Sequence, residues 1–127
     1  MPGLHHVEIW IADPGAVDAD WGWLLQRLGF ARTAQWNDGV SWEAEGVYLT
    51  FTTAPALAGA HDRRRSGLNH LAFRGGSPAD VDAILEESAA HGWSALYRDR
   101  YPHAGGPDHY AGWIENADGF KVEVVAE

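Results

Sequence analysis

His6 stands third in Leu4-His5-His6-Val7, and His70, 64 residues further on, stands third in Leu68-Asn69-His70-Leu71. Glu123 follows near the end of the chain, in Lys121-Val122-Glu123-Val124. Strand alternation puts all three on one kind of face. Val7, Ile9 and Ile11 share one side of the first segment, which leaves His6, Glu8 and Trp10 on the other. In the same way Leu71 and Phe73 oppose His70, and Val122 and Val124 oppose Glu123. Two neutral imidazoles and one carboxylate suit Zn, Ni, Mn or Fe(II) and leave positions free for water or substrate oxygens. Such an ion activates a bound water or polarises a substrate oxygen. A plain solvent-facing sheet would also carry polar residues here, and it accounts for Glu8 and Thr50 readily. It accounts less readily for a histidine at the same strand position in each half.

The elements that hold these residues repeat. The strand from Leu4 to Ile11 is followed by Asp13-Pro14, a cap and a first-turn proline, and by Val17, Trp21, Leu24, Leu25 and Leu28 at helical spacing up to a stop at Gly29. Strands are expected near 31–36, 40–44 and 47–53, joined by Asn37-Asp38-Gly39 and Glu45-Gly46. Residues 54–67 read as a linker. The order then starts again: a strand from Leu68, a helix opened by Ser77-Pro78 and ended by Gly92, and strands near 94–98, 109–115 and 119–125. The expected fold is α+β: one domain over residues 1–127, built of two βαβββ modules, 1–60 and 61–127.

Composition narrows the function. At 46% hydrophobic and 21% charged, the chain has the make-up of a folded globular protein. A net charge of −9 argues against nucleic acid as a partner, since phosphate binding draws on Lys and Arg. Arg63-Arg64-Arg65 departs from that balance and reads as a solvated turn or an anion patch. With no cysteine there is no thiolate ligand, disulfide or cysteine nucleophile, so a metal would rest on His and carboxylate. No apolar run is long enough to span a membrane, and Met-Pro-Gly-Leu-His-His lacks the features of a secretion signal, so a cytoplasmic location is expected.

Other residues could serve a site. Tyr48 shares its strand face with Thr50 and Thr52, opposite Val47, Leu49 and Phe51. Glu8 could act as a base or support His6. His103 and His109 lie in Tyr97–Tyr110, a segment rich in Tyr, Arg and His around Gly105-Gly106-Pro107, and histidine is suited to carrying protons near neutrality. Trp10, Trp42, Arg98, Tyr101 and Tyr110 are candidates for contacting a substrate, although tryptophan more often packs a core. His5 shares parity with Val7 and Ile9 and is expected to be structural.

Taken together, Leu4-His5-His6-Val7 with Asp13, Gly67-Leu68-Asn69-His70-Leu71-Ala72-Phe73 and Asn116-Ala117-Asp118-Gly119-Phe120-Lys121-Val122-Glu123 resemble the vicinal oxygen chelate superfamily. That group includes glyoxalase I, extradiol dioxygenases, fosfomycin resistance enzymes and the metal-free bleomycin-binding proteins. The resemblance covers nearly the whole chain, with Ala117 where the family's turn usually has proline. It implies paired βαβββ modules curled around a metal-centred cavity and assigns His6, His70 and Glu123 as ligands of one divalent ion. The family's fourth ligand would fall at Tyr48, and a neutral phenol is a poor ligand, so the likeness points away from glyoxalase I itself. It implies a lyase, isomerase or dioxygenase acting on a small molecule with vicinal oxygens. The alternative is a drug- or metabolite-binding resistance protein without catalysis. A homodimer is expected, because four-stranded modules have exposed edges and two-module members of the family commonly pair.

Overall fold

Alternating apolar residues generate two four-stranded mixed sheets in a computed structural model that describes residues 2–127. The chain divides into two compact units, the first ending at Ala60 and the second running His61–Glu127. The first contains β1 (His6–Trp10), a short helical region, β2 (Ala31–Trp36), β3 (Gly39–Ala44) and β4 (Val47–Thr52). Its sheet order is β1-β4-β3-β2, with β1 parallel to β4 and the other pairs antiparallel. The second contains β5 (Leu71–Gly76), an 11-residue helix (Pro78–Ser88), β6 (Trp93–Leu96), β7 (Ala111–Asn116) and β8 (Lys121–Ala126). Its order, β5-β8-β7-β6, repeats the same path, with β5 parallel to β8. The fold is α+β with curled, open sheets, as the sequence implies.

Each unit buries one face of its sheet against helix. In the first, Val17, Trp21, Leu24 and Leu25 are buried together with Leu49 and Phe51. The helical region is less regular than its spacing suggests. A single 3-10 turn at Pro14–Ala16 leads into a π-helical turn, Asp18–Gly22, and only Trp23–Arg27 is α-helical; we label it α1. Asp13 caps the start, its side chain accepting from the Gly15 amide at 2.9 Å. In the second unit α2 (Pro78–Ser88) begins with a full capping box: Ser77 Oγ accepts from the Asp80 amide, and the Asp80 carboxylate accepts from the Ser77 amide. Val81 and Ile84 face the sheet, where Val122 and Val124 are wholly buried. Gly92 ends this helical segment at φ 85°, the left-handed conformation that glycine adopts without penalty.

Strand bounds differ from the expectations mainly at the ends. The first strand starts at His6 rather than Leu4, and the fifth at Leu71, so His70 immediately precedes its strand. Among the described residues, no helix is long and apolar enough to cross a membrane.

Candidate functional site

β8 carries a carboxylate into the interior of the second unit. Val122 and Val124 point to the helix, so Glu123 takes the opposite face, where it is 7% exposed. A buried carboxylate needs compensation, and two imidazoles supply it. His70 Nε2 stands 3.1 Å from Glu123 Oε1, and His109 Nε2 is hydrogen-bonded to Oε2. Register explains the first contact. Ala72 pairs with Glu123 across β5 and β8, and His70 lies two residues before Ala72, on the same face. The second contact comes from the long segment between β6 and β7, which returns His109 just ahead of β7.

Both nitrogens of His70 face acceptors. Nδ1 is 2.7 Å from Asn69 Oδ1, while the Asn69 amide nitrogen donates to the Arg63 carbonyl at 3.1 Å and so fixes which end of the amide faces the ring. A neutral imidazole has one N–H, which cannot serve Asn69 and Glu123 together. A second proton on the ring would remove the conflict, and so would a divalent cation held by His70 and Glu123.

Trp113 pairs with Glu123 across β7 and β8 and forms the wall beside it. Its ring centroid lies 6.2 Å from that of His109 and 5.8 Å from that of Tyr97. Gly105 passes so close that a Cβ there would come within 2.8 Å of the His109 ring and 3.0 Å of Trp113. Tyr97 was singled out by no spacing or motif. It has a left-handed backbone (φ 57°), and its hydroxyl accepts from Lys121 Nζ at 2.8 Å. That hydrogen bond, with the charges of Lys121 and Arg63, holds the phenol below its ordinary pKa.

Three of the candidates for substrate contact, Arg98, Tyr101 and Tyr110, come together on a cavity of about 430 Å³ that also touches α2 through Asp82 and Leu85, and Trp113. Asp82 accepts hydrogen bonds from both tyrosines, from Tyr110 at 2.6 Å. These bonds lower the Asp82 pKa. Burial, then the Asp82 hydrogen bond, raises that of Tyr101, and the bond to Asp82 raises that of Tyr110. His103 is exposed, and its Nδ1 donates to the His109 carbonyl at 3.2 Å.

In the first unit, His6 and Tyr48 are register partners, and their rings stack 4.7 Å apart and nearly parallel. His5 corrects the parity argument. It precedes β1, is exposed, and packs edge-on against both His6 and Tyr48, with Nδ1 2.9 Å from His6 Nδ1. Glu8 accepts from the Trp10 indole at 2.8 Å, and Trp10 is 40% exposed, so this pair forms an exposed bridge along the strand. Trp42 is a core residue rather than a substrate wall: it pairs with Leu49, lies 3.3 Å from where a Gly22 Cβ would stand, and is covered by the Arg32 guanidinium. Tyr48 is also not the register counterpart of Glu123. That position is Thr50, which pairs with Glu8 as Glu123 pairs with Ala72, and its hydroxyl is buried against Ser41 at 2.8 Å. Of the arginine run, Arg63 reaches Glu115, and Arg64 and Arg65 flank Asp62.

Among the described residues, no three His, Asp or Glu side chains converge as a metal site does. The His70–Glu123 pair fits a metal in donor type, an imidazole nitrogen and a carboxylate oxygen, which stand at hydrogen-bonding distance from each other, 3.1 Å.

The chain is 43% identical over 125 residues to the uncharacterized protein YqjT of Bacillus subtilis (strain 168), covering 97% of this chain and 98% of that one. A solved structure of a candidate glyoxalase from Bacillus halodurans superposes with a TM-score of 0.91 at 40% identity, over 98% of this chain and 95% of that one. A glyoxalase/bleomycin resistance protein from Albidiferax ferrireducens T118 shares the fold at 21% identity, with a TM-score of 0.76 over 98% of each chain. The family model for these proteins matches residues 5–113, which hold both opening histidines, and with YqjT so similar along the full length, the chain belongs to the Glyoxalase/Bleomycin resistance protein/Dioxygenase superfamily.

Proposed function

We propose that the protein is a divalent-metal-dependent enzyme of lyase, isomerase or dioxygenase type, acting on a small molecule with vicinal oxygens. The observation that carries this is His70, an imidazole with acceptors on both nitrogens, one of them a buried carboxylate. Asn69 keeps the Nδ1 proton, which leaves the Nε2 lone pair for a metal beside Glu123 Oε1. His6 enters the ligand set on the strength of the family resemblance. When bound, the ion would act as a Lewis acid on substrate oxygens. The chain's own part is to hold the two donors and to wall the face with Trp113.

Metal analysis of untagged protein tests the reading: about one divalent ion per chain is expected, and His70→Ala should lose it. Stoichiometric metal retained in that variant would defeat the assignment. The cavity beside Arg98, Tyr101 and Tyr110 favours a second reading, binding of a small molecule without turnover. Ligand binding that is unchanged when metal is stripped would select it. A homodimer and a cytoplasmic location complete the proposal.

A further inference from the structure

We propose that His109 is a positioning residue for the metal-binding carboxylate, restricting Glu123 to a single ligating oxygen, Oε1. The inference rests on the metal-site reading above and adds a residue to it.

Glu123 presents two oxygens, and the two histidines treat them differently. Oε1 faces His70 Nε2, and the metal-site reading places the cation with this pair, since the other ring nitrogen is engaged by Asn69. Oε2 faces His109 Nε2, and there a neutral imidazole needs only to donate its N–H. One oxygen is thus tied to a donor and the other is left to a cation. A carboxylate held in this way cannot swing to offer both oxygens to one ion.

The segment that carries His109 is built to keep that donor in place. Its backbone amide donates to Gly106 O at 3.2 Å, and its carbonyl accepts from His103 Nδ1. Gly105 lets the chain pass against the imidazole and Trp113, where a side chain would collide. Both ends of the segment are fastened. The Ala111 amide donates to Pro102 O at 3.0 Å, and Asp82 on α2 receives the hydroxyls of Tyr101 and Tyr110. His109 is therefore held from both flanks as well as by Glu123. Hydrogen bonds of this kind to a metal-binding carboxylate set its orientation, and losing one typically weakens metal binding about 10- to 100-fold.

The test is a chelator competition for Zn(II) and Co(II), with the Co(II) absorption spectrum recorded, on the wild type, His109→Ala and His109→Gln. In the alanine variant the affinity should fall about 10- to 100-fold, and the Co(II) spectrum should change as Glu123 becomes free to bind through both oxygens. Glutamine should restore most of both, because its amide can donate to Oε2. Unchanged affinity and spectrum in His109→Ala would overturn the proposal while leaving the metal site standing. If glutamine fails as badly as alanine, His109 is a ligand in its own right, and the positioning role is wrong. A wild type that binds no metal would defeat both this inference and the reading beneath it.

Discussion

Two residues beyond His6, the first unit pairs Glu8 with Thr50, whose hydroxyl is bonded to Ser41 out of solvent. Two residues beyond His70, the second unit pairs Ala72 with Glu123, with Trp113 on its other side. The chain path, sheet order and register are the same, but the interior position holds a self-satisfied hydroxyl pair in one case and a charge in the other. A hydroxyl pair meets its own hydrogen-bonding needs and asks nothing of its neighbours. A buried carboxylate does not, and it draws His70 and His109 to it from outside the strands. The repeated scaffold supplies two equivalent places, and a buried charge occupies one of them.

The largest effect expected from this contrast is at the charged place. Glu123→Gln should lower metal affinity by more than about 100-fold, since it removes a ligand rather than a supporting hydrogen bond. Thr50→Val, at the equivalent place, should leave metal affinity unchanged and cost about 1–2 kcal/mol of stability by stranding the Ser41 hydroxyl. Denaturant melts and metal titrations of both variants separate the two roles, and similar metal loss in both would erase the contrast. Tyr48→Phe should have a smaller effect. The ring stack on His6 survives, so metal content should be nearly unchanged, and loss of the hydroxyl should weaken turnover or ligand binding by about 1 kcal/mol. Metal loss in this variant would make Tyr48 a ligand.

The smallest effect is a pH signature confined to the second unit. Tyr97 is held below the ordinary phenol value by the Lys121 hydrogen bond, so its phenolate absorbance should rise at lower pH than that of Tyr101 and Tyr110, whose pKa values Asp82 and burial raise. Because the folded-state pKa is the lower one, the stability it contributes is fully present above the unfolded value near 10 and is lost as pH falls through the folded value. Lys121→Met should move the Tyr97 transition back up. A transition unmoved by that change would assign the shift to another cause.

Much of this was legible in the sequence, and the failures have identifiable physical reasons. Period-2 alternation located the faces of β4, β5 and β8, because burying one side of a sheet forces that pattern. The cap residues Asp13 and Ser77 marked real helix starts. Alternation stops informing where the strand stops, which is why His5 turned to the side of His6 and Tyr48 against its parity. Trp42 was misplaced because tryptophan serves cores and pocket walls alike, although it shares an apolar face with Val40 and Ala44, opposite Ser41 and Glu43. The pairing of His109 with Glu123 and the left-handed turn at Tyr97 depend on how a long connection folds back, and no periodicity encodes that.

The parallel closure of each sheet constrains the order in which the molecule can be made. β1 has no partner until β4 exists, so its five residues remain an unpaired strand while the chain between them forms the β2–β3–β4 meander. That ladder ends at the pairing of Trp10 with Thr52, and it needs no strand from beyond Ala60. β5 waits in the same way for β8, across a wider gap. The slow, long-range pairing that limits folding rates thus stays confined within each half, and neither sheet waits for a strand from the other.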